Sequence, residues 1–222
     1  VTIEVRQVSG FDRVRLQGPG ILNIRQSSQE SLTVHAPRYA IRELQSRVVN
    51  GELLLGLFSA PVVSMQLHRE TISYDLQVKD LNRLQLTGVA RAIIPDLDTD
   101  CLTLVVAGTG RVRVEKLTAD QLDVRISNRG QVSVGGDVEA QSVRVGNQGV
   151  YQAGQLISDF AELAVADQGQ AVINVNEALN VSIAGNGSVT YVGYPDVQQV
   201  ISGPGRLQRV KPTKKRSAEE HG

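Results

Sequence analysis

The chain has 222 residues, 41% of them hydrophobic but only 4% aromatic, with no Trp, 21 Gly and 7 Pro. Lys plus Arg and Asp plus Glu each number 23, so the formal net charge is zero, which excludes a surface tuned throughout for nucleic acid. A single Cys, Cys101, excludes an internal disulfide framework and a multi-thiolate metal site, and no run of 18 apolar residues supplies a membrane-spanning helix.

A core so poor in rings must be filled by Val, Leu, Ile and Ala, which suits stacked sheets better than a deep aromatic pocket. The opening "VTIEVRQV" alternates like a strand and has no positive segment followed by an apolar one. A start at Val1 rather than Met fits equally a processed form and a shortened chain from which a leader has been removed. Next, "FDRVRLQGPGILNI" at 11 to 24 reads as strand, glycine corner and strand. Residues 26 to 80 fit less regularly and are expected to form broader or protruding rungs around an Asn50-Gly51 turn. The strand-corner-strand order returns in "LNRLQLTGVARAII" at 81 to 94.

From residue 102 the pattern becomes a repeat. "LTLVVAGTGRVRV", "LDVRISNRGQVSV", "SVRVGNQGVYQA", "ELAVADQGQAVINV" and "NVSIAGNGSVTYV" close on Gly110, Gly130, Gly149, Gly169 and Gly187, separated by 20, 19, 20 and 18 residues. A period of this length marks one supersecondary unit stacked on its neighbours. Asn128, Asn147, Asp167 and Asn186 precede the glycines, and Asn or Asp accepts a left-handed backbone. The glycine then supplies either a positive φ or a missing Cβ where rungs crowd. Alternation places Leu122, Val124, Ile126, Val132, Val134, Val143, Val145, Leu163, Val165, Val172, Val175, Val181, Ile183, Val189 and Tyr191 inside. The links between units are too short and polar for a packed crossover helix. The fold class is therefore all-β, a right-handed parallel β-helix (a single-stranded β-solenoid) with an irregular N-terminal portion; an antiparallel sandwich is the rival. The β-helix domain spans 1–210, and 211–222, "KPTKKRSAEEHG", reads as a flexible polar tail.

The stretch "GNGSVTYVGYPDVQQVISGPGRL" at 185 to 207 adds a G-x-G, a Tyr-x-Gly-x-Pro and a further glycine corner, through Gly185, Gly187, Tyr191, Gly193, Pro195, Gly203 and Gly205. Together with the repeats, over about 200 residues, it resembles the putative auto-transporter adhesin family, head GIN domain. Family units commonly read Ser-Gly-Ser-Gly, whereas this chain carries "AGTG", "SNRG", "GNQG" and "ADQG". The resemblance implies a β-helical protein that is extracellular, periplasmic or associated with the cell surface of a bacterium, with no catalytic or cofactor residues to carry over.

Candidate chemistry is sparse. Asp96, Asp98 and Asp100 alternate as the first ligands of a Ca²⁺ loop do, but Cys101 and Ala107 stand where such a loop needs Gly and an acidic residue; a solvated edge is the better reading. His35, His68 and His221 are dispersed without zinc spacing. Carboxylates from Asp123 to Glu177 form no repeating pair with a base. Arg111, Arg113 and Arg125 are expected to face solvent. The expected protein is non-enzymatic, without a cofactor, and acts by surface binding or self-assembly. Its expected partners are a surface glycan or protein, or further copies of itself in a head-to-tail or lateral homo-oligomer, and not nucleic acid. The alternative is a carbohydrate-active enzyme or lectin-like module that binds polysaccharide along a lateral face.

Overall fold

The computed structural model describes residues 1–57 and 72–211. Its elements are β1 Thr2–Arg6, β2 Arg13–Gln17, β3 Ile21–Gln26, β4 Ser31–Ala36, α1 Arg38–Ile41, β5 Gln45–Val49, β6 Glu52–Gly56, β7 Ser73–Val78, β8 Arg83–Gly88, β9 Arg91–Asp98 and β10 Cys101–Gly108. Four long bent strands follow, β11 Arg111–Ile126, β12 Gln131–Val145, β13 Val150–Val165 and β14 Gln170–Ala184, then β15 Ser188–Val192, β16 Asp196–Ser202 and β17 Arg206–Arg209. All of these strands belong to one continuously hydrogen-bonded sheet, wound into a parallel β-solenoid.

Each coil contributes one strand to each of two stacks. The first stack runs β6, β2, β8, β10, then the second halves of β11, β12, β13 and β14, and ends in β16. The second runs β7, β3, β9, the first halves of β11 to β14, then β15 and β17. Parallel pairing places each residue beside its counterpart one coil away. Leu55, Leu16, Leu86, Val106, Ile126, Val145, Val165, Ile183 and Ile201 thereby form one aliphatic ladder, inside the solenoid until its last coil.

Of the residues expected inside, all are buried except Val172 and Tyr191. Tyr191 is partly buried and packs on the core. Val172 is a correction: it points outward and is only partly buried, while Ala171 and Ile173 take the inward positions. The run "QAVINV" is apolar on both faces, so alternation alone leaves its register open; pairing of Ala171 with Tyr151 and Val189 fixes it.

The irregular N-terminal portion has a different form from broader rungs. β6 and β7 join the parallel stacks, but β5 pairs antiparallel with β6, β4 antiparallel with β7, and β1 antiparallel with β4. Asn50 and Gly51, with φ of 50° and 75°, make the tight hairpin between β5 and β6. These strands and α1 close one end of the solenoid. The coil β2–β3, first in sequence, lies between β6–β7 and β8–β9. His68, His221 and all of the tail after Lys211 lie outside the described residues.

Val165 is 2% exposed and is paired on both sides by Val145 and Ile183. Replacing it by Asp forces a carboxylate into an aliphatic ladder with no partner, so Val165→Asp is expected to destabilise by at least about 3 kcal/mol. Urea denaturation with a midpoint equal to that of the unaltered protein would contradict the placement.

Candidate functional site

The corners divide the two jobs that the sequence assigned jointly to glycine. Asn128, Asn147 and Asp167 carry the left-handed backbone, with φ of 60°, 55° and 58°. The closing glycines serve instead by lacking a side chain: a Cβ on Gly130 would lie 2.8 Å from Val106 Cγ1 and 3.0 Å from Ile126 Cγ2. Equivalent methyl groups crowd the next corners, Gly149 at 2.8 Å from Ile126 Cγ2 and 3.0 Å from Val145 Cγ1, Gly169 at 3.0 Å from Val145 Cγ1 and Val165 Cγ1, and Gly187 at 2.9 Å from Val165 Cγ1, whereas Gly110 is less crowded, at 3.3 Å from Val106 Cγ1. Asn186 does not take the position of the other Asn and Asp residues. Gly185, φ 77°, holds the left-handed place, and Asn186 sits one residue later, exposed.

The corner side chains are also linked between coils. The Asn128 amide N–H donates to Asn147 Oδ1 at 3.2 Å, and the Asn147 N–H to Asp167 Oδ2 at 3.1 Å. Each polar group thereby satisfies a donor one coil back, and the ladder stops at Gly185, which has no acceptor to offer. Along it lies a shallow groove of about 560 Å³ bordered by Arg129, Gln148 and Gln168.

The closing motif is structural in the same way. Gly193 (φ 109°) and Gly203 (φ 106°) are left-handed, Gly205 would place a Cβ 2.4 Å from Ile183 Cγ2, and Tyr191 packs on the last buried coil. Pro195 precedes β16 in the bend that leads into it.

A second lateral groove, of about 410 Å³, carries the chemistry best suited to contact with a ligand. Phe160 is 43% exposed at its edge, although an aromatic ring ordinarily buries most of its area. Its neighbours in register are Ala140 and Ala178, so the ring stands above small residues on both sides. The next outward row, Asp123, Ser142, Glu162 and Asn180, supplies carboxylate, hydroxyl and amide groups. Arg125 pairs with Asp123 at 3.2 Å. The sequence did not single out Phe160; its signal was an aromatic residue between alternating positions, with alanine one period away on either side.

The remaining candidates separate. Asp96 pairs with Lys116 at 3.8 Å, and Asp98 is held through its backbone, its N–H donating to Gln26 Oε1 at 2.9 Å. Asp96, Asp98 and Asp100 are all exposed, and among the described residues no three His, Cys, Asp or Glu side chains gather as metal ligands would. His35 pairs with Asp75 at 3.0 Å on the outer face. Arg111, Arg113 and Arg125 are exposed, Arg113 beside Glu115 at 3.3 Å.

Tyr151, Gln141 and Ser158 form a closed polar relay inside the solenoid. The buried Tyr151 hydroxyl donates to Gln141 Oε1 at 2.9 Å, Gln141 Nε2 to Ser158 Oγ at 2.7 Å, and Ser158 Oγ to the Asn174 carbonyl at 3.0 Å. Burial drives the Tyr151 phenol well above its ordinary pKa and keeps it a donor. With each of these side chains paired, the relay is part of the core and presents no reactive group.

Stacked parallel coils with Asn/Asp-x-Gly corners define a β-solenoid domain. The chain belongs to the family described as putative auto-transporter adhesin, head GIN domain, whose pattern matches residues 10–195. The fold is similar to crystal structures of a putative adhesin from Bacteroides fragilis NCTC 9343 (22% identity, TM-score 0.87, 94% of this chain and 96% of that one) and of a putative adhesin from Parabacteroides merdae ATCC 43184 (18%, 0.71, 94% and 95%). It is likewise similar to a putative lipid binding protein from Parabacteroides distasonis ATCC 8503 (21%, 0.74, 94% and 96%). Comparison with curated proteins gives no match. Among the described residues no helix is long and apolar enough to cross a membrane.

The corner roles separate by mutation. Asn147→Gly keeps the left-handed backbone and loses one hydrogen bond, for an expected cost of about 0.5–1 kcal/mol. Gly130→Val forces a branched side chain against Val106 and Ile126 and is expected to cost about 1–3 kcal/mol. Equal melting temperatures for Gly130→Val and the unaltered protein would show that the closing glycine is interchangeable.

Proposed function

We propose that this protein is a non-enzymatic, exported adhesin-like solenoid that holds a surface glycan or protein against its lateral face. The observation that carries the reading is the exposed Phe160 ring beside the outward row Asp123, Ser142, Glu162 and Asn180. An aromatic face next to carboxylate and amide acceptors matches the alternating CH faces and hydroxyl edges of a sugar, which favours a lectin-like mode of contact. The coil geometry supports it: outward positions are excluded from core packing, so side chains there are free to serve recognition. Family membership supports an adhesin role and, with it, a location at the cell surface or outside the cell.

Binding of the purified protein to immobilised surface polysaccharides and envelope proteins, read by biolayer interferometry, tests this. Phe160→Ala is expected to weaken capture about tenfold or more while leaving the melting temperature nearly unchanged, because the ring is not part of the core. Undiminished binding by Phe160→Ala would move the contact elsewhere. Polysaccharide turnover abolished by Glu162→Gln would replace the binding role with a catalytic one.

A further inference from the structure

The two ends of the solenoid are finished differently. At the N-terminal end the parallel stacks are covered by antiparallel β4, β5 and β1. There the Arg6 guanidinium turns inward, donating to the Leu44 carbonyl, to Ser46 Oγ at 2.9 Å and to the Ile41 carbonyl at 2.7 Å. That end is covered by antiparallel strands, and its outermost strands, β1 and β5, each pair on one side only among the described residues. At the other end, among the described residues, no strand pairs with the outer edges of β16 and β17. All seven residues of β16 are exposed, including Val197 at 36% and Ile201 at 40%, both in register with buried residues of β14.

We propose that this terminal rung is a docking edge for a second copy of the same chain, joined end to end by antiparallel pairing of β16 with β16 about a twofold axis at Gln199. The proposal is independent of what the Phe160 groove binds. Its first ground is the direction of the main chain. The Gly185 N–H donates to the Ser202 carbonyl at 2.9 Å, so Ser202 faces the preceding coil. Alternation along a strand then turns the N–H and C=O groups of Val197, Gln199 and Ile201 toward the open side. An unpaired row of this kind is a template for another strand.

The second ground is which strand fits. A copy stacked head to tail would present its N-terminal end, whose parallel edges are covered and whose outermost strands β1 and β5 carry exposed Glu4 and Arg47, charges of the kind that blunt an edge. The matching surface is another bare rung, and turning a copy end over end reverses its strands, so the pairing is antiparallel. Centred on Gln199, the register sets Val197 opposite Ile201 of the partner subunit and Gln199 opposite Gln199 of the partner subunit. The aliphatic side chains extend the core ladders, and two amides, each donor and acceptor, meet on the axis. Asp196 falls opposite a serine, so no like charges meet. Pairing β17 with β17 would instead oppose Arg206 and Arg209, which the β16 register avoids. The strand carries no Lys, Arg, Glu or Pro of the kind that blunts a free edge. A contact of this symmetry uses each rung once and closes at a dimer.

Sedimentation velocity on the full chain from about 1 to about 200 micromolar is expected to show a monomer–dimer equilibrium and nothing larger. Gln199→Pro removes an N–H that faces the open edge and leaves the bonds to β14 intact, and Ile201→Lys places a charge in the contact; each is expected to weaken dimerisation at least about tenfold with the melting temperature unchanged. Should Gln199→Pro disturb the rung itself, Ile201→Lys alone carries the comparison. In a Cys101→Ser background, Gln199→Cys is expected to form a disulfide-linked dimer on mild oxidation, since a directly opposed hydrogen-bonded pair has Cα atoms about 5.5 Å apart. Ser182→Cys, on the lateral face, is expected not to. A strictly monomeric chain, oligomers that lengthen with concentration, a dimer indifferent to both variants, or cross-linking through Ser182→Cys in place of Gln199→Cys would each overturn the proposal.

Discussion

Parallel pairing in register is the constraint on which the rest of this molecule depends. Once successive coils hydrogen-bond residue to residue, every inward side chain must tolerate its counterpart directly above and below, so the interior is written in vertical ladders of Leu, Ile and Val. Ladders of similar aliphatic residues interdigitate at constant spacing, whereas a large ring in one rung needs a smaller neighbour. Tyr151, inward and fully buried, is followed by Ala171. The scarcity of aromatic residues follows from this packing rule.

The corners inherit the same constraint in sharper form. A coil has to change direction within three residues while keeping its distance from the previous coil, and the methyl groups of Val106, Ile126 and Val145 already occupy the space beneath the closing glycines. Hence the pairing of a left-handed Asn or Asp with a residue that has no side chain. The amide and carboxylate groups then connect corner to corner, so the polar residues tolerated at the turn also bind adjacent coils. Outward positions escape these demands. It is there that Phe160, Glu162 and the arginines stand, and there that recognition can vary without disturbing the scaffold.

The period of about 20 residues and the alternation on either side of each glycine were enough to read the solenoid from the sequence, because both are local. What they could not supply was anything set by pairing between distant segments. Val172 and Ala171 are equally apolar, and only the coils above and below decide which faces inward. Asn186 looks like Asn128 and Asn147 until the neighbouring Gly185 takes the left-handed place. The antiparallel cap was illegible because β1, β4 and β5 alternate as the solenoid strands do; their direction is fixed by the hairpin at Asn50-Gly51 and by partners tens of residues away. At Phe160 the sequence shows a ring, and only the alanines in register with it show that the ring is uncovered.

The place of β2 and β3 between two coils formed later in the chain bears on synthesis. As residues emerge in order, these strands appear first, yet β6 and β7 must be made before one of their edges can be filled, and β8 and β9 before the other. The earliest coil therefore keeps one edge open until β6 and β7 are complete and the other until residue 91 and beyond have left the ribosome, while each coil from β10 onward adds to the one made just before it. Nucleation belongs to an assembled group of three coils and elongation to the regular repeats, so a chain interrupted early holds two unfilled edges and has no solenoid on which to lay them.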